Sequence, residues 1–372
     1  ELTYLNLSMC EVEIECGVDL GFAEKFEDEN YGSNKNPYIS KLGGKPFWVS
    51  RSNVPSVSTL KCGNCFNQMT FLCQLYVPSD NEIGSNLSKS ELFINKIFYL
   101  FCCNKGSCYS SQLCVKVLRF VCESNGSDEN FQPVYLHDTK DIKSLCNLCG
   151  CYGDKKCSKC SQVFYCCKEH QLIDWKFSHK KNCYQEGYNK QPESKDSSDN
   201  KKNPFLFDEY EIVIENEPSK QERLEKLKEK YKKYENYMTD QNTQLDKQLE
   251  NDLKKIDETN GDKMFLNFKE RIECEPEQIV RYELNGEPLW VSSENIPKEQ
   301  DIPLCKCGSK RQFEFQILPQ MLNYLGVETT KESIDWGTLV VYTCQKNCVN
   351  IDDLYVEEFV WKQDFSNENL LT

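Results

Sequence analysis

The chain has 372 residues, enough for two or three domains with real cores, and 59 Asp plus Glu against 45 Lys plus Arg give a formal net charge of −14. Such a surface repels phosphate backbones; it argues against direct DNA binding and suits a basic protein partner or plain solubility. No run of about 18 apolar residues is present, so no membrane-spanning helix is expected, and "ELTYLNLSMC" lacks the basic and long apolar regions of a secretion signal.

The 23 cysteines are odd in number, and many sit in C-x-C and C-x-x-C pairs too close for ordinary disulfides. Pairs of this kind mark metal ligands in a reducing compartment, which places the protein inside the cell.

In chain order, residues 1–140 form a first β half. "GGKPFWVSRSNVP" (43–55) leads into Cys62 and Cys65, then "FYLFCCNKGSC", then the alternating strand "LCVKVLRFVC" (113–122). Apolar alternation on both sides of each cysteine pair predicts hairpins with thiols at their turns, clasped by one ion in the manner of a zinc ribbon. The candidate ligands are Cys62, Cys65, Cys103 and Cys108, with Cys102 an alternative to Cys103. Trp48, at a strand position after proline, is expected in the core.

Residues 141–186 hold the densest pattern: Cys146-x2-Cys149, Cys157-x2-Cys160, Cys166-x3-His170 and His179-x3-Cys183. Eight donors in four close pairs suit two tetrahedral zinc ions. So short a segment buries too little to fold alone, so metal binding supplies its folding energy. Complete ligation by protein predicts structural rather than catalytic zinc. Spacing alone does not say which pairs share an ion. The order of the pairs, together with Gln171 and Trp175, resembles the MYND zinc fingers. That resemblance implies interleaved sites, one of Cys146, Cys149, Cys166 and His170, the other of Cys157, Cys160, His179 and Cys183. Most such fingers carry Cys where this chain has His170, and neutral imidazole is an acceptable substitute. The resemblance also implies proline-containing peptides beside Gln171 and Trp175; from the residues alone, Trp175 covers a small core. Cys151 and Cys167 fall outside the pattern.

Residues 187–263 are predicted to be a flexible charged linker with a strand and a long helix. In "FLFDEYEIVIENEP", Leu206, Tyr210, Ile212 and Ile214 face one way, while Glu209, Glu211 and Glu215 share the other face with Phe207 and Val213. The carboxylate face is either the guard of an edge strand or a contact for a basic client. Ser219-x-x-Glu222 is a capping box, and leucines and tyrosines at helical spacing predict a helix over 219–258, read as a solvated spacer with a self-association helix or a partner helix as the alternatives.

Residues 264–372 form a second β half. "NGEPLWVSSENIP" (285–297) aligns without gaps on 43–55, and Cys307, Phe313 and Gln316 fall at the same offset from Cys65, Phe71 and Gln74. Its candidate ligands are Cys305, Cys307, Cys344 and Cys348, and its last strand is "YVEEFVWKQDF" (355–365). The expected fold class is therefore α+β, mainly β: two related zinc-ribbon-like halves around an inserted finger and a helical linker.

"GVDLGFAEK", "GGKPFWVS", "LFCC", the finger, "EYEIVIE", "ILPQMLNYL", "IDWGTLVVYTC" and "EEFVWKQD", in that order, resemble the programmed cell death protein 2 family. The resemblance implies a chaperone for a basic small-subunit ribosomal protein of the S-five type, promoting small-subunit biogenesis in cytoplasm and nucleus. The alternative is a nuclear transcription adaptor that recruits corepressors by a proline motif through the finger. No enzyme is expected: two of three histidines go to zinc, His137 lacks a catalytic setting, and no Walker loop, H-E-x-x-H or G-x-S-x-G occurs.

Overall fold

A computed structural model describes residues 17–26, 36–78, 93–124, 142–183, 203, 205–219, parts of 221–229, 262–327, 333–349 and 354–365. Twelve strands occur among them: β1 (Asp19–Glu24), β2 (Lys41–Leu42), β3 (Thr70–Val77), β4 (Phe93–Cys102), β5 (Val115–Ser124), β6 (Lys155–Lys156), β7 (Phe164–Tyr165), β8 (Tyr210–Asn216), β9 (Gln278–Tyr282), β10 (Arg311–Ile317), β11 (Thr338–Cys344) and β12 (Tyr355–Gln363). The helices are α1 (Lys168–Asp174), α2 (Lys180–Asn182), joined to α1 by a π turn over Trp175–His179, and α3 (Lys263–Glu273). The described parts of 221–229 are also helical.

Among the described residues ten strands close into one barrel in the order β1-β8-β2-β3-β4-β5-β12-β11-β10-β9, and β6 and β7 form a separate ribbon. Every pairing in the barrel is antiparallel. The two ends of the chain therefore share one barrel, joined at a β5–β12 seam (Val117↔Glu358 to Phe120↔Tyr355) and a β1–β9 seam. Closure removes the open edge expected at β8: it lies between β1 and β2, with Gly21↔Ile214 on one side and Lys41↔Glu211 on the other.

Alternation sorts the side chains into an interior and an outer layer. Phe98 of β4 meets Phe315 of β10 at a ring separation of 4.9 Å, and Lys96 pairs with Glu314; β4 and β10 are not neighbours, so both contacts cross the interior. Arg119 and Glu358, both fully buried, pair at 2.7 Å across the β5–β12 seam. These buried charges survive because each carboxylate has several donors: Glu314 also accepts from Tyr282 and Thr343, and Glu358 from Arg311. On the outer face Trp48 stacks on Tyr99 at 4.8 Å and meets the edge of Tyr355 at 5.1 Å, so the 43–55 segment covers the sheet. Gln74 Oε1 accepts the N–H of Phe47 at 3.1 Å, and Gln316 Oε1 accepts the N–H of Leu289 at 2.6 Å.

The finger packs on this outer layer and shares its apolar core. The Trp48 indole N–H donates to the Gly150 carbonyl at 2.8 Å, and Lys45 Nζ donates to the Asn147 carbonyl at 2.5 Å. Phe205 lies 4.0 Å from the ring of His170.

Candidate metal centres

Four clusters of donor atoms form among the described residues: Cys62, Cys65, Cys103, Cys108; Cys146, Cys149, Cys166, His170; Cys157, Cys160, His179, Cys183; and Cys305, Cys307, Cys344, Cys348. Within each, all four donor atoms lie within 4.8 Å of one another. The two finger clusters interleave, with the first and third cysteine-bearing pairs on one site and the second and last on the other.

The donor spacings can be compared with tetrahedral zinc. Sulfurs about 2.3 Å from one zinc sit about 3.8 Å apart, and a sulfur and an imidazole nitrogen about 3.6 Å apart. Cys149 and Cys166 are 3.7 Å apart, Cys157 and Cys183 3.8 Å, and Cys65 and Cys103 3.7 Å. Cys305–Cys348 and Cys307–Cys344 are slightly shorter at 3.4 and 3.5 Å. Cys146 lies 3.7 Å from His170 Nδ1, and Cys160 lies 3.5 Å from His179 Nε2. All these thiols are free, and the separations are far too long for disulfides. The residues fit zinc.

A common turn builds each cluster. The residue after the second cysteine of the leading pair has positive φ in all four: Phe66 at 57°, Gly150 at 74°, Ser161 at 56° and Gly308 at 83°. Its N–H closes on the carbonyl of the first cysteine, at 3.0 Å for Phe66, 2.9 Å for Gly150 and Ser161, and 2.8 Å for Gly308. The left-handed conformation costs a non-glycine residue about 1–2 kcal/mol. Gly150 and Gly308 escape that cost and were a usable sequence signal; Phe66 and Ser161 gave none.

The barrel clusters clamp strand ends. Cys62 and Cys65 precede β3, and Cys103 and Cys108 follow β4; Cys305 and Cys307 precede β10, and Cys344 and Cys348 lie at and after the end of β11. Cys103, not Cys102, joins the first of these; Cys102 is fully buried, and burial pushes its thiol up to about 12. In the finger, Tyr165 and Asn147 both donate to buried Asp174, at 2.7 and 2.8 Å, which ties α1 to the first knuckle. Cys167 serves as the N-cap of α1, its sulfur accepting the N–H of His170 at 3.4 Å. Cys151 is buried and belongs to none of the clusters. At the C-terminal cluster the Ser309 N–H is the chief influence holding Cys307 down to about 7, favouring the thiolate a metal needs.

Trp175 is half-buried against the finger core, with Lys159 Nζ 4.9 Å above its ring; Gln171 is half-buried, and Leu172 and Phe177 are exposed beside them. Glu209 pairs with Lys41, whose side chain is buried. Glu211 sits opposite Glu24 and Lys41, and Glu215 is exposed. The Ser219–Glu222 capping box forms, with reciprocal contacts of 2.8 and 3.3 Å. His137 and most of the predicted 219–258 helix lie outside the described residues. Phe205, Lys45 and Arg119 escaped sequence reasoning because each reaches a cluster remote in sequence, and Glu358 because its partner Arg119 is 239 residues away.

Known proteins match in the same three blocks. The family described as "Programmed cell death protein 2, N-terminal domain" matches residues 17–135, its C-terminal domain matches 262–364, and "MYND finger" matches 146–183. Programmed cell death protein 2 of Bos taurus is 38% identical over 360 residues, covering 94% of this chain and 97% of that protein. The chain belongs to the programmed cell death protein 2 family. The Mus musculus member is 36% identical over 362 residues, with 94% and 97% covered. A shorter likeness, 34% over 98 residues and 23% of this chain, is to a Schizosaccharomyces pombe protein named "Probable 20S rRNA accumulation protein 4", of which it covers 24%. No solved structure matches the chain. The N-terminal and C-terminal barrel clusters each lie inside one of the matched programmed cell death protein 2 domains, and both finger clusters inside the matched finger.

Proposed function

We propose that this protein is a non-enzymatic, zinc-braced chaperone-adaptor that holds a basic small-subunit ribosomal protein and promotes small-subunit biogenesis, working in cytoplasm and nucleus. The observation that carries this reading is the likeness to the fission-yeast protein named for 20S rRNA accumulation. The net charge of −14 supports a basic client and disfavours direct DNA contact. Both described histidines sit in clusters fully supplied with protein donors, the pattern of structural rather than catalytic metal. The reading includes four zinc ions, one per cluster. Sites of three thiolates and one imidazole add about −1 each and sites of four thiolates about −2, which moves the formal charge to roughly −20.

The proposal also takes the two barrel halves as related by duplication. Supporting it are the matching roles of Gln74 and Gln316, the matched placement of cysteine pairs before β3 and β10, and their partners at and after the ends of β4 and β11. Closure of the barrel gives each of its described strands a neighbour on both sides, so the client is held on faces and loops.

The test is purification of the protein from cells, with co-purifying proteins identified and zinc counted in the same sample. A basic small-subunit ribosomal protein in stoichiometric amount is the expected result; its absence overturns the reading. A second reading, recruitment of proline-motif partners, draws on Leu172 and Phe177 exposed beside Gln171 and Trp175. Replacing Gln171 and Trp175 by alanine separates the two. Loss of partner binding with finger zinc retained favours the second, and unchanged client binding favours the first.

A further inference from the structure

The four clusters share a turn and a ligand geometry but differ in their cover. All four residues of the Cys146 cluster are buried, and in the Cys62 and Cys157 clusters only Cys65 and Cys160 are half-exposed. In the C-terminal cluster Cys307 is exposed and Cys348 half-exposed. The two clusters with glycine after the second cysteine show the same contrast. A Cβ on Gly150 meets Lys45 at 2.9 Å and Pro46 at 3.3 Å. A Cβ on Gly308 meets nothing within 4 Å. The C-x-C spacing contributes, because the loop between Cys305 and Cys307 is one residue shorter and carries only the exposed Lys306.

We propose that the C-terminal cluster is an exchangeable zinc site, open at Cys307 to an incoming thiol or chelator, whereas no donor residue of the other three is fully exposed. This rests on the zinc reading of the clusters. Exchange at such a site is ligand substitution: the incoming donor atom takes the place of the Cys307 sulfur, which leaves as a thiolate, and no electron changes hands.

The same cluster is wired to the seam that closes the barrel. Arg119 of β5 donates to the Cys348 carbonyl at 2.9 Å while pairing with Glu358 of β12 at 2.7 Å. Glu358 also accepts the N–H of Cys344 at 3.3 Å and pairs with Arg311 at 3.0 Å. Two ligands of the cluster are thus fixed by groups that hold β5 against β12. Loss of its metal loosens the seam, while exchange at the finger leaves it intact.

The experiment uses the full zinc-loaded chain and the chromophoric chelator 4-(2-pyridylazo)resorcinol. One ion is expected to leave in a phase roughly tenfold or more faster than the others. N-ethylmaleimide added after that phase is expected to label Cys305, Cys307, Cys344 and Cys348 first, and amide hydrogen exchange to rise in β5 and β12. Cys307→Ser is expected to lower the zinc count by one and remove the fast phase, and Cys65→Ser to leave the fast phase in place. The labelling pattern of the unaltered chain decides the matter even where Cys307→Ser fails to fold. A full zinc count released in one phase, or early labelling at another cluster, overturns the proposal. A zinc count of two in the unaltered chain overturns the zinc reading of the barrel clusters themselves.

Discussion

Replacing Trp48 tests whether finger and barrel are one cooperative unit. Trp48 is 8% exposed, stacked on Tyr99 and against Tyr355, and its indole N–H satisfies the carbonyl of buried Gly150 in the first finger knuckle. Trp48→Phe keeps most of the aromatic volume but leaves that carbonyl without its donor, at a cost of about 1–3 kcal/mol. Trp48→Ala also opens a cavity among the rings, raising the cost to about 3–5 kcal/mol. The assay is urea denaturation, with circular dichroism reporting the barrel and alkylation of Cys146, Cys149 and Cys166 reporting the finger. Both signals are expected to change together in the unaltered chain and to shift together in each variant. If the barrel signal shifts while finger alkylation stays at its original urea concentration, the two units are independent and the reasoning fails. A shift below about 0.5 kcal/mol for Trp48→Phe refutes the hydrogen-bond part of it.

Two further predictions concern buried charge. Glu358→Gln leaves Arg119 and Arg311 facing a neutral amide in the interior and is expected to cost about 3–5 kcal/mol in urea denaturation; an effect below about 1 kcal/mol refutes the ion-pair account. At Glu217 burial pushes the carboxyl up, but Arg271 and Arg281 outweigh it and hold it below its ordinary range. A carboxyl depressed in the folded state contributes stability that is complete above its unfolded value of about 4.5 and lost as pH falls through its folded value. Glu217→Gln is therefore expected to lower stability at neutral pH and flatten the acid limb of a stability–pH curve; an unchanged acid limb refutes the assignment.

Much of the candidate donor set was legible in the chain because zinc ligation is local in sequence. Each knuckle is a turn of four or five residues, so Cys146-x2-Cys149 or Cys305-x-Cys307 announces half a site by spacing alone. Pairing the halves needs distance information that spacing lacks. The resemblance of the finger to a known family supplied it there, and in the barrel the order of cysteine pairs within each half did. The strands of the barrel were similarly visible in their alternation.

β8 shows where such reading stops. Its alternating glutamates suggested a guarded edge, since a charged face is how edges avoid pairing. In the fold it fills the gap between β1 and β2, with Glu209 paired to buried Lys41. Nothing local in 205–216 distinguishes the two situations, because its neighbouring strands, β1 and β2, come from the far N-terminal part of the chain.

The sequence by itself determined the candidate donor residues, the position of the finger and the recurrence of the 43–55 motif at 285–297, all properties of short spacing and composition. Only the tertiary structure decided that the halves close one barrel, that the buried Lys96–Glu314 pair crosses its interior, and that Cys307 alone among these cluster residues is exposed. Those outcomes depend on which surfaces cover one another once the chain is closed, and cover is a sum over residues distant in sequence.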